Sequence, residues 1–299
     1  MTPPRRVLPG NTYLVTRRCS ERRFFLKPSR RTNEIFLYVL AVAARRHCVL
    51  VHAFCVLSNH CHLIVTDLDG RLPAFMQYLD SLVARAVNAS LGRFEGFWAT
   101  DGSYSAVEPL DPADIVAKTA YVLANPVAAG LVRRSAEWPG LWTAPEQIGV
   151  AKLTARRPKV FFDPKSYMPE ARTLELTVPP GFASAEEFRT LVSDALRGLE
   201  AQHQREAASE GRRFLGAARV LAQNAFARPP AGEPRFELKP RIAARDKWRR
   251  IEGLLRLKSF LREYRQSWVD RRSGRPNVQF PAGTYLLRIM HGVQCAGAA

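Results

Sequence analysis

The chain has 299 residues, 46% of them hydrophobic, and carries 45 Lys and Arg against 27 Asp and Glu, a net charge of +18 at pH 7. That length suits two domains or one large domain with appendages, and the apolar fraction supplies a sizeable core. The charge points to a polyanionic partner, nucleic acid first, with a merely soluble basic protein as the duller alternative. No apolar run approaches the ~18 residues of a membrane span, and Met1–Arg6 lacks the apolar core of a secretory signal. The five cysteines form no CxxC pair, which argues against a disulfide framework and against a four-cysteine zinc module. These features predict a cytoplasmic protein with reduced thiols and no membrane partner.

In chain order the first half alternates strands and helices. Asn11–Arg17 reads as a short strand carrying Tyr13, Val15 and Thr16. Thr32–Arg46 is apolar at Ile35, Phe36, Val39, Leu40, Val42 and Ala43, a helical spacing with Thr32 or Asn33 as N-cap. Cys48–Leu57 is a buried strand, Ser58-Asn59 a tight connection, and His60–Thr66 a returning strand. A second helix runs from about Pro73 to Leu91, stopped by Gly92. Tyr104–Val107 is a weak strand, and Asp111–Ala124 a third helix with Asp111 as N-cap and Pro112 at its first position. The order β-α-β-β-α-β-α predicts an α+β fold, a ferredoxin-like antiparallel sheet covered by helices.

A division is expected near residue 145, between a unit over 1–145 and a mainly helical basic region over 146–299. Residues 1–145 hold 17 basic and 11 acidic residues, and the remainder holds 28 and 16. Trp138-Pro139-Gly140 and Arg156-Arg157-Pro158-Lys159 mark loops near the boundary, and four prolines within 227–240 suggest a linker. Within Asp246–Val269, Trp248, Ile251, Leu254, Leu255, Leu257, Phe260, Leu261 and Tyr264 fall at helical spacing with interleaved Lys and Arg. Its apolar face is expected to pack internally and its basic face to follow a DNA backbone or support a dimer, against the bland reading of a solvated extension. Arg271–Pro276 reads as a basic loop, and Val278–Met290 as a strand or return segment.

The chemistry concentrates in two places. On a strand, His60 and His62 share one face and Cys61 takes the other, so two imidazoles stand side by side as part of a divalent-metal site. On the third helix Asp114, Lys118, Tyr121 and Asn125 are spaced by four, three and four residues, one polar stripe. Laid across the sheet, that helix can turn the Tyr121 phenol and the Asn125 amide together toward the histidines. Asn125 precedes Pro126, which predicts that it lies near the helix end. Each feature has a plainer reading taken alone: exposed strand histidines, zinc held by the histidines and a cysteine, a packing tyrosine, and an Asn-Pro helix stop. Arg17-Arg18 and Arg22-Arg23 are either phosphate contacts or a solvated basic turn. His47 and His52 carry no motif and read as structural.

Ser58-Asn59-His60-Cys61-His62-Leu63, followed by Tyr121-Val122-Leu123-Ala124-Asn125-Pro126-Val127-Ala128-Ala129-Gly130-Leu131-Val132, resembles the single-tyrosine HUH transposases, specifically their REP-associated tyrosine transposase group. The resemblance spans roughly residues 10–135, and both motifs occur in the family's order. Cys61 replaces a bulkier apolar residue, and Ser58 a more frequent proline. The resemblance implies an HUH nuclease domain that cleaves and rejoins single-stranded or hairpin DNA, acting as a nucleoid-associated homodimer. It implies Mg²⁺ or Mn²⁺ held by His60, His62 and Asn125, with Tyr121 attacking the phosphorus to form a 5′-phosphotyrosine and free a 3′ hydroxyl. Lys118, one turn before Tyr121, is placed to favour the phenolate or to hold a phosphate oxygen, since an ordinary phenol has a pKa of about 10. The alternative is a domesticated DNA-binding protein of the same fold that does not cut.

Overall fold

A computed structural model of the chain describes residues 4–100, 103–229 and 240–297. The first half contains β1 (Asn11–Arg18), α1 (Arg30–His47), β2 (Val49–Val56), β3 (His60–Asp67), α2 (Leu72–Leu91), β4 (Ser105–Pro109) and α3 (Pro112–Ala128). The second contains the hairpin β5 (Lys152–Arg156) and β6 (Ala171–Glu175), then α4 (Ala185–Ser209), α5 (Ala217–Ala222), β7 (Ile242–Ala243), α6 (Lys247–Arg272) and α7 (Leu286–His291). The main sheet runs β2-β3-β1-β4-β7. Its first four strands are antiparallel neighbours in the ferredoxin-like order, and β7 adds in parallel to the β4 edge. The expected α+β class and sheet type hold.

Alternation along the strands sorts the two faces. Tyr13, Val15, Phe54, Cys61, Leu63 and Val65 enter the core under α1, α2 and the β5–β6 hairpin. Leu14, Ala53, Cys55 and Ile64 meet α3 on the other face, and α3 is itself covered by Phe188, Val192 and Leu196 of α4. This second core is continuous across residue 145. No helix among the described residues is long and apolar enough to cross a membrane.

Several local expectations change. The first helix begins earlier than the apolar pattern suggests, because extended Ser29 caps it and accepts from Thr32 N at 3.0 Å. Its first turn is polar, which hides the start from periodicity. The second helix ends as expected on Gly92, at φ 66°. Asp111 does stand at the N-cap position of α3, but its side chain takes no helix N–H and pairs with Arg249 instead. That helix also runs past Asn125 and through Pro126 to Ala128, correcting the expected stop. Pro126 removes one backbone donor close to the helix end, and in the same turn the Trp142 indole N–H donates to Leu123 O at 3.0 Å. Gly130, at φ 67°, then reverses the chain, with Leu131 N donating to Pro126 O.

The second half departs further. The helix α4 was not anticipated, although Phe188, Val192 and Leu196 recur every four residues. The apolar side chains of α6 do not pack internally as expected: Trp248 is 73% and Leu255 59% exposed. They are distributed around the helix rather than on one stripe, and its docked side is narrow, with only Gly253 and Phe260 buried. At Gly253 an added Cβ would lie 2.7 Å from a Leu110 methyl, so glycine lets α6 approach the sheet edge. Val278–Met290 holds most of α7 and two isolated bridges, Phe280 to Cys295 and Thr284 to Arg6, not a strand. Of the expected 227–240 linker, residues 230–239 lie outside the described residues.

His52 is structural, at a bulge in β2. Its Nδ1–H donates to Thr177 O at 2.9 Å, which leaves Nε2 to accept from Thr66 Oγ1 at 2.7 Å. Thr66 Oγ1 in turn accepts from Thr12 Oγ1 at 2.7 Å. A neutral imidazole satisfies this buried chain of bonds.

Candidate active site: two histidines, an asparagine and a tyrosine

Strand pairing places the site. β1 and β3 align Thr16 with His62 and Arg18 with His60, all on the face that α3 covers. The two imidazoles stand perpendicular, with ring centroids 4.8 Å apart. The Tyr121 ring lies 5.7 Å from His62, edge to face, and is 46% exposed. Asn125, one turn on and buried, brings its amide against both imidazoles. Lys118 holds its ammonium 5.8 Å from the Tyr121 ring centroid. Asp114, the fourth residue of the stripe, is not part of this group. It is buried at the other end of α3, where it accepts Arg245 N at 2.8 Å.

Two residues that the sequence reading did not single out set the imidazoles. The Asn59 amide donates through Nδ2 to Arg22 O at 3.3 Å, which turns its oxygen toward His60 Nδ1 at 2.7 Å. An oxygen acceptor there requires Nδ1–H on His60, leaving the Nε2 lone pair available. Thr16 Oγ1 lies 2.8 Å from His62 Nδ1, and His62 Nε2 is buried without a hydrogen-bonding partner. The position of Asn59 beside His60 was a usable signal. That of Thr16 appears only once β1 is paired with β3.

The electrostatics favour neutral ligands. Burial, followed by the charges of Arg18 and Arg22, pushes the His60 pKa down to about 4, against which the neighbouring Asn125 amide works. Burial, then His60 and Arg18, holds His62 well below the ordinary imidazole range, again opposed by Asn125. Neutral imidazoles with oriented lone pairs, an orphaned buried Nε2 and an adjacent amide oxygen make a donor set that fits a divalent cation. Among the described residues no trio of His, Cys, Asp or Glu gathers, so a third protein donor would be the Asn125 amide. The zinc alternative lacks its constellation. Cys61 sits in the opposite core, and burial raises the pKa of both Cys55 and Cys61.

A cleft of ≈ 430 Å³ opens beside His60, with Arg18 and Arg22 among its lining residues. Arg22 has φ 58°, a left-handed backbone unusual for a non-glycine residue; this presents its carbonyl to Asn59.

No protein-family model matches the chain, and no curated protein matches it. Among solved structures, the chain is similar to a REP-associated tyrosine transposase bound to a REP hairpin, at 19% identity and a TM-score of 0.40, over 47% of this chain and 81% of that one. It is also similar to a candidate transposase from Deinococcus radiodurans R1, at 17% identity and a TM-score of 0.28, over 36% of this chain and 85% of that one.

Proposed function

We propose that the protein is a DNA transposase that cleaves and rejoins single-stranded DNA, at hairpin-forming elements, through a covalent tyrosine intermediate. The observation that carries this reading is the convergence of an exposed tyrosine on two oriented, neutral histidines, with Tyr121 and His62 ring centroids 5.7 Å apart. The basic chain and the arginines beside His60 suit a polyanionic strand.

His60 and His62, through Nε2, and Asn125, through its amide oxygen, would hold Mg²⁺ or Mn²⁺. When bound, such an ion supplies positive charge to the non-bridging phosphate oxygens and orients the phosphate for in-line attack. Tyr121 Oη forms a bond to phosphorus as the bond from phosphorus to the 3′ oxygen breaks. The phenol gives up one proton and the leaving 3′ oxygen takes up one. One phosphate ester replaces another, so rejoining by the reverse step needs no external energy source. Lys118 adds positive charge where the phenolate and the phosphate oxygens meet. His60, His62, Lys118, Tyr121 and Asn125 come together within one chain.

The test is incubation of a panel of labelled hairpin DNAs with the protein in Mn²⁺, Mg²⁺ or EDTA. Metal-dependent nicking that leaves a free 3′ hydroxyl is expected for the wild type and is expected to disappear in Tyr121→Phe and His62→Ala. Cleavage by Tyr121→Phe at the wild-type rate would overturn the reading. Tight hairpin binding by the intact protein without any cut would favour the non-cleaving DNA-binding alternative.

A further inference from the structure

The cleft beside His60 is walled on one side by residues from the second half of the chain, Leu215, Gln223 and Pro229. Hydrogen bonds fix that wall at both ends. Leu215 N donates to Gly130 O at 2.9 Å and Gly216 N to Leu131 O at 2.8 Å, just beyond α3. Farther along, Phe24 N donates to Ala227 O at 2.9 Å, and Lys27 Nζ to Gln223 O at 2.7 Å. The cleft is therefore a built feature that joins the two halves of the chain at the site.

We propose that this cleft seats one unpaired nucleotide adjacent to the scissile phosphate, and that Gln223 reads its base. The inference rests on the proposed cleavage chemistry for its choice of single-stranded DNA as ligand. The volume of ≈ 430 Å³ lies within the range of sites that hold a molecule of nucleotide size. Its surface divides as a nucleotide does. Arg18 and Arg22 supply cations for a phosphate, while Leu131 and Leu215 supply apolar wall for the faces of a base. At the polar end Ser58 Oγ donates to Gln223 Oε1 at 3.0 Å. That bond orients the amide and leaves its Nε2 hydrogens for acceptors on a base edge. His60 belongs both to the cleft and to the histidine pair, so a strand threading the cleft carries its neighbouring phosphate to Tyr121. A free nucleotide would gain nothing from that continuity.

The experiment uses the full chain and a fluorescent DNA hairpin with a six-nucleotide single-stranded flank, in EDTA so that no cleavage intervenes. A single abasic site is walked through the flank and binding is read by anisotropy. The wild type is expected to lose about 5- to 100-fold in affinity at one position, the loss of one seated base. Leu215→Trp, which fills the cleft, is expected to bind the intact flank that much more weakly and to show no further loss at that abasic position. In a second arm, a flank library of random sequence is cleaved in Mn²⁺ and the cut sites are sequenced. The wild type should prefer one base at the matching position, and Gln223→Ala should erase that preference while other positions keep theirs. A flat abasic walk, or a walk and preference that neither variant alters, overturns the inference. If no flank is cleaved, the cleavage reading fails and the binding arm alone decides the cleft.

Discussion

Replacing Thr16 with valine removes one hydrogen bond from the proposed ligand set and little else. Valine keeps the branched shape and suits a strand position. His62 is 4% exposed, and its Nδ1 lies 2.8 Å from Thr16 Oγ1, so the variant leaves a buried imidazole nitrogen with no partner. Such a group costs about 1–3 kcal/mol of folding stability. The larger consequence concerns the other nitrogen. Metal binding through Nε2 requires the proton on Nδ1, and Thr16 Oγ1, 2.8 Å away, is the acceptor that would hold it there. Without it the tautomer and ring angle are free, and metal affinity should fall about 10- to 100-fold, equivalent to roughly 1.4–2.7 kcal/mol. Calorimetric titration with Mn²⁺ measures the second effect and urea unfolding the first. A Thr16→Val protein with wild-type Mn²⁺ affinity and an unchanged urea midpoint would refute the assignment of Thr16 as the residue that orients His62.

Other outcomes follow from the fold and the charges. Burial lowers the His52 pKa from 6.5 to about 4. Its stabilising contribution is therefore full above pH 6.5 and lost as pH falls toward 4, amounting to about 2 kcal/mol lost at pH 5. The stability difference between pH 7 and pH 5 should be smaller by that amount in His52→Gln, and an equal difference in both proteins would contradict the buried neutral imidazole. Phe188 is fully buried where α4 covers α3, so Phe188→Ala should cost about 3–5 kcal/mol in urea unfolding. A cost below about 1 kcal/mol would mean that α4 is not part of the core. In binding to single-stranded DNA, Arg18→Ala should reduce the slope of log K against log salt by about 0.7, the contribution of one phosphate. An unchanged slope would remove Arg18 from the strand's path.

Legibility in the sequence followed the physics of each segment. β1, β2 and β3 were readable because they are short apolar or alternating runs bounded by turns. The pair His60 and His62 was readable because a strand has a period of two. Tyr121 and Asn125 were readable as one helical turn, yet their distance from the histidines depends on α3 crossing the sheet, which no local spacing encodes. Pro126 misled about the helix end because its lost donor falls near the terminus, where Trp142 and the Gly130 reversal meet the local carbonyls. Thr16 stayed hidden for a different reason. Its partner is 46 residues away, and only the β1–β3 register brings them together. In the second half, α6 has the composition of an amphipathic helix without a single apolar stripe, so counting its apolar residues overstated its burial. The wall formed by Leu215 and Gln223 is tied down by bonds to Gly130, Lys27 and Ser58, residues far away in the sequence that no local pattern links to it.

The proposed chemistry turns on Tyr121 as the nucleophile. The most direct measurement is tryptic mass spectrometry of the protein after reaction with hairpin DNA in Mn²⁺ and nuclease trimming. Cleavage after Lys118 and Arg133 isolates a peptide from Thr119 to Arg133 in which Tyr121 is the single tyrosine. This peptide should carry a 5′-phosphonucleotide on Tyr121, and should be unmodified when His62→Ala is used or EDTA replaces the metal. A nucleotide adduct on any other residue, or efficient strand cleavage with the 119–133 peptide unmodified at every time point, would contradict that role for Tyr121.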